Sequence, residues 1–458
     1  MPFSLAAALA LTFDVLAVSS LAAAPTTVSS VNTPARANRD GEADVTEASP
    51  FSRNFSFATT ADKNATRVSS EAFSPEKTFG FEEVNRNQIE QIPLGIRGQK
   101  PFRFSVVVPE GNLEVTVMAK ADPAQAPHPL TIKAESRRLM VESWQPSGSG
   151  EETKTFIVNV RNPLLPPTPA NAPGKPSVEL NKRELSSLNW DGKLTLEFSS
   201  SSVLVTGIRI RAVKRPTIFI TGDSTVTDQP SEPAASWGQM FPRFMSPAVA
   251  VANHAESGET LKSFLYEMRL SKVLSLLAPG DFVFIEFGHN DEKKQWPINY
   301  VEANTTYKAY LRTYIAEIRL RHATPVLLTP IQRRTFDEHG RIRNSHGDYP
   351  AAVRDVAKEQ NVVLIDLDKA STALYEALGP ANAPRAFNKG GQDATHHNNY
   401  GAYELAKCVV QQIKNSSLPI AADVAADFSS FDPSHPDDVA KFDVAPSPET
   451  GDVEIRGN

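Results

Sequence analysis

Cysteine is nearly absent from this chain. Among 458 residues only Cys408 carries a thiol, so neither an intramolecular disulfide nor a cysteine-based zinc site can form. Its place in an apolar helical stretch marks it as packed core, where thiols are inert. Basic charge is not in excess: 47 Lys and Arg stand against 53 Asp and Glu, a formal net charge of -6. A duplex nucleic-acid binder needs a concentrated basic footprint, and nucleic acid is therefore not expected as a partner. Long apolar runs are missing after the first residues. Residues 1–24 are apolar and end in Leu21-Ala22-Ala23-Ala24-Pro25, the pattern of a signal-peptide core followed by small residues. No Lys or Arg precedes that run and Asp14 interrupts it; a charge at such a position disfavours a membrane span by about 2.5–3.5 kcal/mol. The expectation is a secreted or periplasmic protein with no membrane span.

The remaining length allows two or three domains, and an apolar fraction of 40% supplies their cores. Residues 25–74 are rich in Ser, Thr, Ala, Asn and Asp without apolar periodicity, which predicts a disordered linker. Residues 75–213 carry alternating β-rich runs at 102–108, 113–118, 155–160, 193–198 and 203–208. Their spacing predicts a β-sandwich accessory domain, with the proline-rich 163–176 stretch as an exposed loop. From 214 to 417 strands alternate with helices, the sign of a parallel sheet covered on both faces. Strands are expected at 217–220, 249–252, 282–287, 325–328 and 362–365, and helices at 261–277, 307–321 and 400–414. Residues 418–458 form an acidic, proline-containing tail.

Three short strings carry the chemistry: Gly222-Asp223-Ser224, Gly288-His289-Asn290-Asp291 and Asp393-Ala394-Thr395-His396. Each alone has an ordinary structural explanation, a turn or a helix cap. Ser224 follows an apolar strand, and open α/β sheets place their chemistry at the carboxyl ends of strands. A hydroxyl needs a base held by a third group, and the spacing of Asp393 and His396 lets one loop present both. Asn290 after the 282–287 run and Gly258 before a helix are candidate donors to an oxyanion, beside the backbone N–H of Ser224. Lys293, Lys294, Arg333 and Arg334 follow strands that end on the same face and are candidates for binding an acidic substrate; His397 adjoins the base and is placed with them. No set of residues has a convincing metal spacing, and this chemistry calls for no cofactor.

With these blocks the chain resembles the SGNH/GDSL hydrolase superfamily, and within it the rhamnogalacturonan acetylesterase-like carbohydrate esterases. The resemblance spans roughly residues 217–414 and includes Asn253 through Gly258, Trp237-Gly238-Gln239 and Thr329-Pro330-Ile331-Gln332-Arg333-Arg334. It implies a flavodoxin-like three-layer α/β/α domain. It also implies Ser224 as nucleophile, His396 as base, Asp393 as orienter, and Ser224, Gly258 and Asn290 as the oxyanion hole. The chain departs from the pattern at Gly258-Glu259-Thr260, where many relatives carry Gly-Arg-Ser. The expected activity is removal of O-acetyl groups from pectic rhamnogalacturonan, an acetylated polysaccharide substrate. The alternatives are an esterase acting on acetyl xylan, another polysaccharide or a lipid, and a glycan-binding protein with an inactive esterase fold.

Overall fold

The computed structural model describes residues 51–59, 63–148, 150–171 and 174–448. The expected leader at 1–24 and the first half of the expected linker lie outside the described residues.

Five parallel strands form the sheet that carries the motifs, in the order Ala250–Asn253, Thr217–Gly222, Phe282–Glu286, Thr324–Leu328, Val363–Ile365. Counted along the chain this is 2-1-3-4-5, the flavodoxin-like order, whose topological switch lies between the first and third strands. The alternation of strand side chains divides the apolar residues between two faces. Ile218, Ile220 and Phe284 pack with α6 (Leu367–Asn382), α7 (Asn399–Lys414) and the short α1 (Trp237–Met240). Phe219, Val283 and Ile285 face α2 (Leu261–Tyr266), α3 (Arg269–Leu276), α4 (Lys308–Arg319) and α5 (Tyr349–Glu359). The strands are apolar on both sides because both sides are covered.

The single helix expected at 261–277 is two. Thr260 caps α2 through a reciprocal capping box with Ser263, and Met268 then adopts a left-handed backbone (φ 66°) before α3. The break lets Arg269 turn into a buried group of carboxylates: Glu184 at 2.7 Å, Glu259 at 3.2 Å and Glu267 at 3.1 Å.

Residues 51–212 are β-rich. One sheet pairs Glu152–Val160 with Gly111–Ala121, then Val203–Ala212, then Ser52–Ser56; the other pairs Phe79–Phe81, Phe102–Val107, Lys193–Ser199, Leu130–Ala134 and Arg138–Trp144. Residues of both sheets, among them Val117, Ile208, Phe104 and Leu196, belong to one buried apolar cluster. The expected linker is overturned where it is described. Ser52–Ser56 pairs antiparallel with Val203–Ala212, and Phe55 and Phe57 are buried, so ladder bonds and two aromatic side chains offset the ordering entropy that the polar composition emphasised. The expected tail is likewise ordered as far as residue 448. Leu418, Ile420, Phe428 and Phe431 are buried against the α7 side of the sheet, and Asp437 pairs with Lys407 at 2.6 Å.

Candidate active site

Ser224 stands just beyond Thr217–Gly222, the strand bordering the switch point. Gly222 is required there: a Cβ would come within 2.6 Å of the Glu286 carbonyl and of Val226, so only glycine lets the two strand ends close up. The chain then turns on Asp223. Its carbonyl accepts from the N–H groups of Val226 (3.1 Å) and Thr227 (3.0 Å), and its Oδ1 from the N–H (3.0 Å) and hydroxyl (2.9 Å) of Thr225. Gln229 Nε2 donates to the Ser224 carbonyl at 2.7 Å.

Opposite the hydroxyl, His396 Nε2 lies 2.8 Å from Ser224 Oγ, and His396 Nδ1 lies 2.9 Å from Asp393 Oδ2. Asp393 Oδ1 accepts from the N–H groups of Thr395 (2.8 Å) and His396 (3.0 Å), so one tight turn fixes the direction of the carboxylate. Burial works against ionisation of Asp393; the hydrogen bonds and charge of His396 outweigh it and hold the carboxyl well below its ordinary range. A carboxylate at Nδ1 favours the tautomer that leaves Nε2 unprotonated and facing the hydroxyl.

The loop 253–258 is stitched to the same strand end. His254 N–H donates to the Ile220 carbonyl at 2.8 Å and Glu256 N–H to the Gly222 carbonyl at 3.1 Å. Gly258 has φ 87°, a left-handed conformation that favours glycine. Asn290 is buried. Its Nδ2 donates to the Glu259 carbonyl at 3.1 Å and its Oδ1 accepts from Lys293 Nζ at 3.1 Å, leaving the second Nδ2 hydrogen for another acceptor. Among the described residues no acceptor is paired with the backbone N–H of Ser224 or Gly258. Free donors of this kind can stabilise a developing oxyanion.

Beneath the serine turn the titratable groups are buried and their charges sorted. Burial, helped by the neighbouring Asp223, pushes Glu286 up to about 8, and it accepts from Trp237 Nε1 at 2.6 Å. Burial lowers His289 to about 4 despite Asp223 at 3.5 Å, so this imidazole is neutral. It packs edge-on against His346, with ring centroids 4.4 Å apart.

The basic candidates separate. Lys293 and Arg333 line a cleft of about 490 Å³ whose wall also includes Asp393, Ala394 and Thr395. Arg333 also pairs with Glu292 at 2.6 Å. Lys294 is not in that wall; its ammonium lies over Tyr300, 6.0 Å from the ring centroid. Arg334 is half-buried, its guanidinium over Phe387 at 5.2 Å and its N–H on the Ala394 carbonyl at 2.8 Å, so it braces the Asp393–His396 loop. His397 does not line that cleft. It is 1% exposed, its Nε2 lies 2.7 Å from the Tyr375 hydroxyl, and its ring packs on Phe387 at 4.4 Å; burial lowers it to about 3. His397 leaves the turn bridged to Ala235 and Phe387, and once His396 faces Ser224 its neighbour enters the core. Lys389 was missed: it lines the cleft, four positions before Asp393 in the same glycine-containing loop, and that proximity was the available signal. Gln229, whose amide holds the Ser224 carbonyl, was missed as well, and no local pattern marks it.

The family model of the GDSL-like Lipase/Acylhydrolase family matches residues 220–402. Rhamnogalacturonan acetylesterase RhgT of Bacillus subtilis is 39% identical over 222 residues, which is 45% of this chain and 94% of that protein. The probable rhamnogalacturonan acetylesterase YesY of the same organism is 38% identical over 210 residues, 45% of this chain and 96% of that protein. Among solved structures, the X-ray structure of protein YxiM from Bacillus subtilis aligns with a TM-score of 0.44 at 22% identity, covering 81% of this chain and 99% of that one. The chain belongs to the GDSL-like lipase/acylhydrolase family and is a carbohydrate acetylesterase similar to the rhamnogalacturonan acetylesterases.

Proposed function

We propose that this acetylesterase is exported and removes O-acetyl groups from pectic rhamnogalacturonan through a Ser224–His396–Asp393 relay. The observation that carries the reading is the unbroken chain of contacts, 2.8 Å from Ser224 Oγ to His396 Nε2 and 2.9 Å from His396 Nδ1 to Asp393 Oδ2. Ser224 Oγ attacks the acetyl carbonyl carbon while His396 Nε2 takes its proton. The oxygen that gains the negative charge is held by the N–H groups of Ser224 and Gly258 and by Asn290 Nδ2. His396 then gives the proton to the departing sugar oxygen, leaving an acetyl-serine. Water, deprotonated by the same nitrogen, attacks that ester, and the serine leaves with the proton as acetate is freed.

An acidic polymer fits the cleft. Lys293, Arg333 and Lys389 line it beside Asp393, and cations at a cleft wall attract uronate carboxylates even where the net charge of the chain is negative. The β-rich residues 51–213 are taken as a β-sandwich accessory domain, supported by two sheets contributing to one apolar cluster. Export rests on the apolar 1–24 segment and its small-residue end. The test is acetate release from acetylated rhamnogalacturonan, acetylated xylan and a long-chain ester compared at equal acyl concentration. Preference for the first supports the reading, and equal or better use of xylan or of the long-chain ester refutes the assigned substrate.

A further inference from the structure

The loops that carry the nucleophile and the oxyanion donor are both held from outside the α/β layers. Arg183 belongs to the β-rich region, in the connection between Glu152–Val160 and Lys193–Ser199, and its side chain is only 7% exposed. Its Nε donates to Glu256 Oε1 at 3.1 Å and its Nη1 to Gln229 Oε1 at 3.1 Å; Nη2 also donates to Glu256. Each partner leads directly to the site. Gln229 holds the Ser224 carbonyl with its own Nε2 at 2.7 Å. Glu256 lies two residues before Gly258, in the loop tied to Gly222 by its backbone N–H. A planar guanidinium has fixed donor directions, and its bonds to a buried carboxylate are charge-assisted. One rigid group therefore grips both loops, which are also joined directly by Asn253 Nδ2 on the Val226 carbonyl at 2.7 Å, and Asn181 Nδ2 shares Glu256 Oε1 at 3.0 Å.

Arg138 and Arg137 make links across the same boundary near the serine turn. Arg138 Nε donates to Asp228 Oδ2 at 2.6 Å, and Asp228 Oδ1 accepts from Asn253 Nδ2 at 2.8 Å. Arg137 Nη1 donates to the Gln229 carbonyl at 3.1 Å. Both arginines come from the turn entering Arg138–Trp144, where Glu135 and Arg137 are left-handed.

We propose that Arg183 is a positioning residue for the esterase reaction, fixing Gln229 and Glu256 so that Ser224 and the Gly258 donor keep their catalytic separation, and that the β-rich region is thereby a working part of the active site rather than a shield. The proposal rests on the assignment of Ser224 as nucleophile. A misplacement of about 1 Å at a reacting pair costs on the order of 10²-fold in rate, so a guanidinium with no contact to substrate can control turnover.

The test uses the full-length chain, a small neutral acetyl ester, and active sites counted by labelling to completion with a serine-directed phosphonate. Arg183→Ala is expected to lower kcat per labelled site by about 10- to 100-fold, with KM changed far less, because the lost geometry matters most in the transition state. Arg183→Lys keeps a charge but not the fork and is expected to recover only part of the rate. Gln229→Ala, which leaves the buried Arg183–Glu256 pair in place, carries the same readout if Arg183→Ala fails to fold. A merely structural arginine lowers the melting temperature and the number of labelled sites but not the turnover of each. Turnover per site within about threefold of wild type in these variants overturns the proposal, being far below the cost of a displaced reacting pair. Turnover persisting in Ser224→Ala overturns instead the nucleophile on which the proposal rests.

Discussion

Replacing Asp393 with Asn separates the orienting role of the carboxylate from its shape. Asp393 Oδ1 accepts two backbone N–H groups, from Thr395 at 2.8 Å and His396 at 3.0 Å. An asparagine oxygen is the only acceptor on its amide, so it must occupy that position, and the NH2 group is turned toward His396 Nδ1, 2.9 Å from the present Oδ2. Nδ1 then has to accept, which places the ring proton on Nε2, facing Ser224 Oγ. In that tautomer the imidazole has no lone pair for the serine proton. The same inversion in a serine relay costs about 10⁴ in kcat, or about 5.5 kcal/mol of transition-state stabilisation at 1.36 kcal/mol per decade. Steady-state kinetics on a soluble acetyl ester, with circular dichroism to confirm folding, measures it. A folded Asp393→Asn protein within about tenfold of wild type refutes the tautomer argument, because a correctly oriented base would then survive without the carboxylate.

Three other outcomes follow from the charges and packing around the site. Lys389 is exposed in the cleft wall, so Lys389→Glu should raise KM for an acidic acetylated polymer more than for a small neutral ester, and added salt should reproduce part of the selective loss by screening; equal effects on both substrates would contradict the basic-cleft reading. An unfolded Glu286 ionises near 4.5 and the folded one near 8, so between these values only the unfolded state releases the proton and stability falls as pH rises. Glu286→Gln keeps an acceptor for Trp237 and should make that fall shallower in denaturant melts; an unchanged pH slope would show that the carboxyl ionises equally in both states. His397→Ala should cost about 2–4 kcal/mol through a cavity and an orphaned Tyr375 hydroxyl while the folded variant retains turnover. Unchanged stability with weakened polymer binding would return His397 to the substrate face.

What the sequence revealed and what it concealed divide along the range of the interactions involved. The five parallel strands were legible because both their faces are buried, giving apolar runs bounded by turn residues, and the meeting of Ser224, Asp393 and His396 in one place could be anticipated because each sits at a strand end or in one tight turn. The resemblance of the motif blocks supplied the role proposed for each residue, which spacing alone left open. The strand Ser52–Ser56 was hidden by its polar composition, since only Phe55 and the following Phe57 enter the core. The split between α2 and α3 was hidden because Met268 has no residue-type signature for a left-handed backbone, and the partner that Arg269 meets beyond the break, Glu184, is remote in sequence. His397 was misplaced because adjacency to the base says nothing of which side of the backbone a ring takes. Arg183, Gln229 and Glu256 are joined across 73 positions in one contact and 46 in another, and no window of sequence contains such a link.

An acetyl-enzyme on Ser224 can be trapped by quenching the reaction with a rapidly acylating acetyl ester in acid and locating the acetyl group by peptide mass spectrometry. Acetyl is expected on the peptide at Ser224 in wild type and absent in Ser224→Ala, with a loss of about 10⁶ in kcat for that variant. Acetyl found on another residue, or near-wild-type turnover by a folded Ser224→Ala protein, would contradict it.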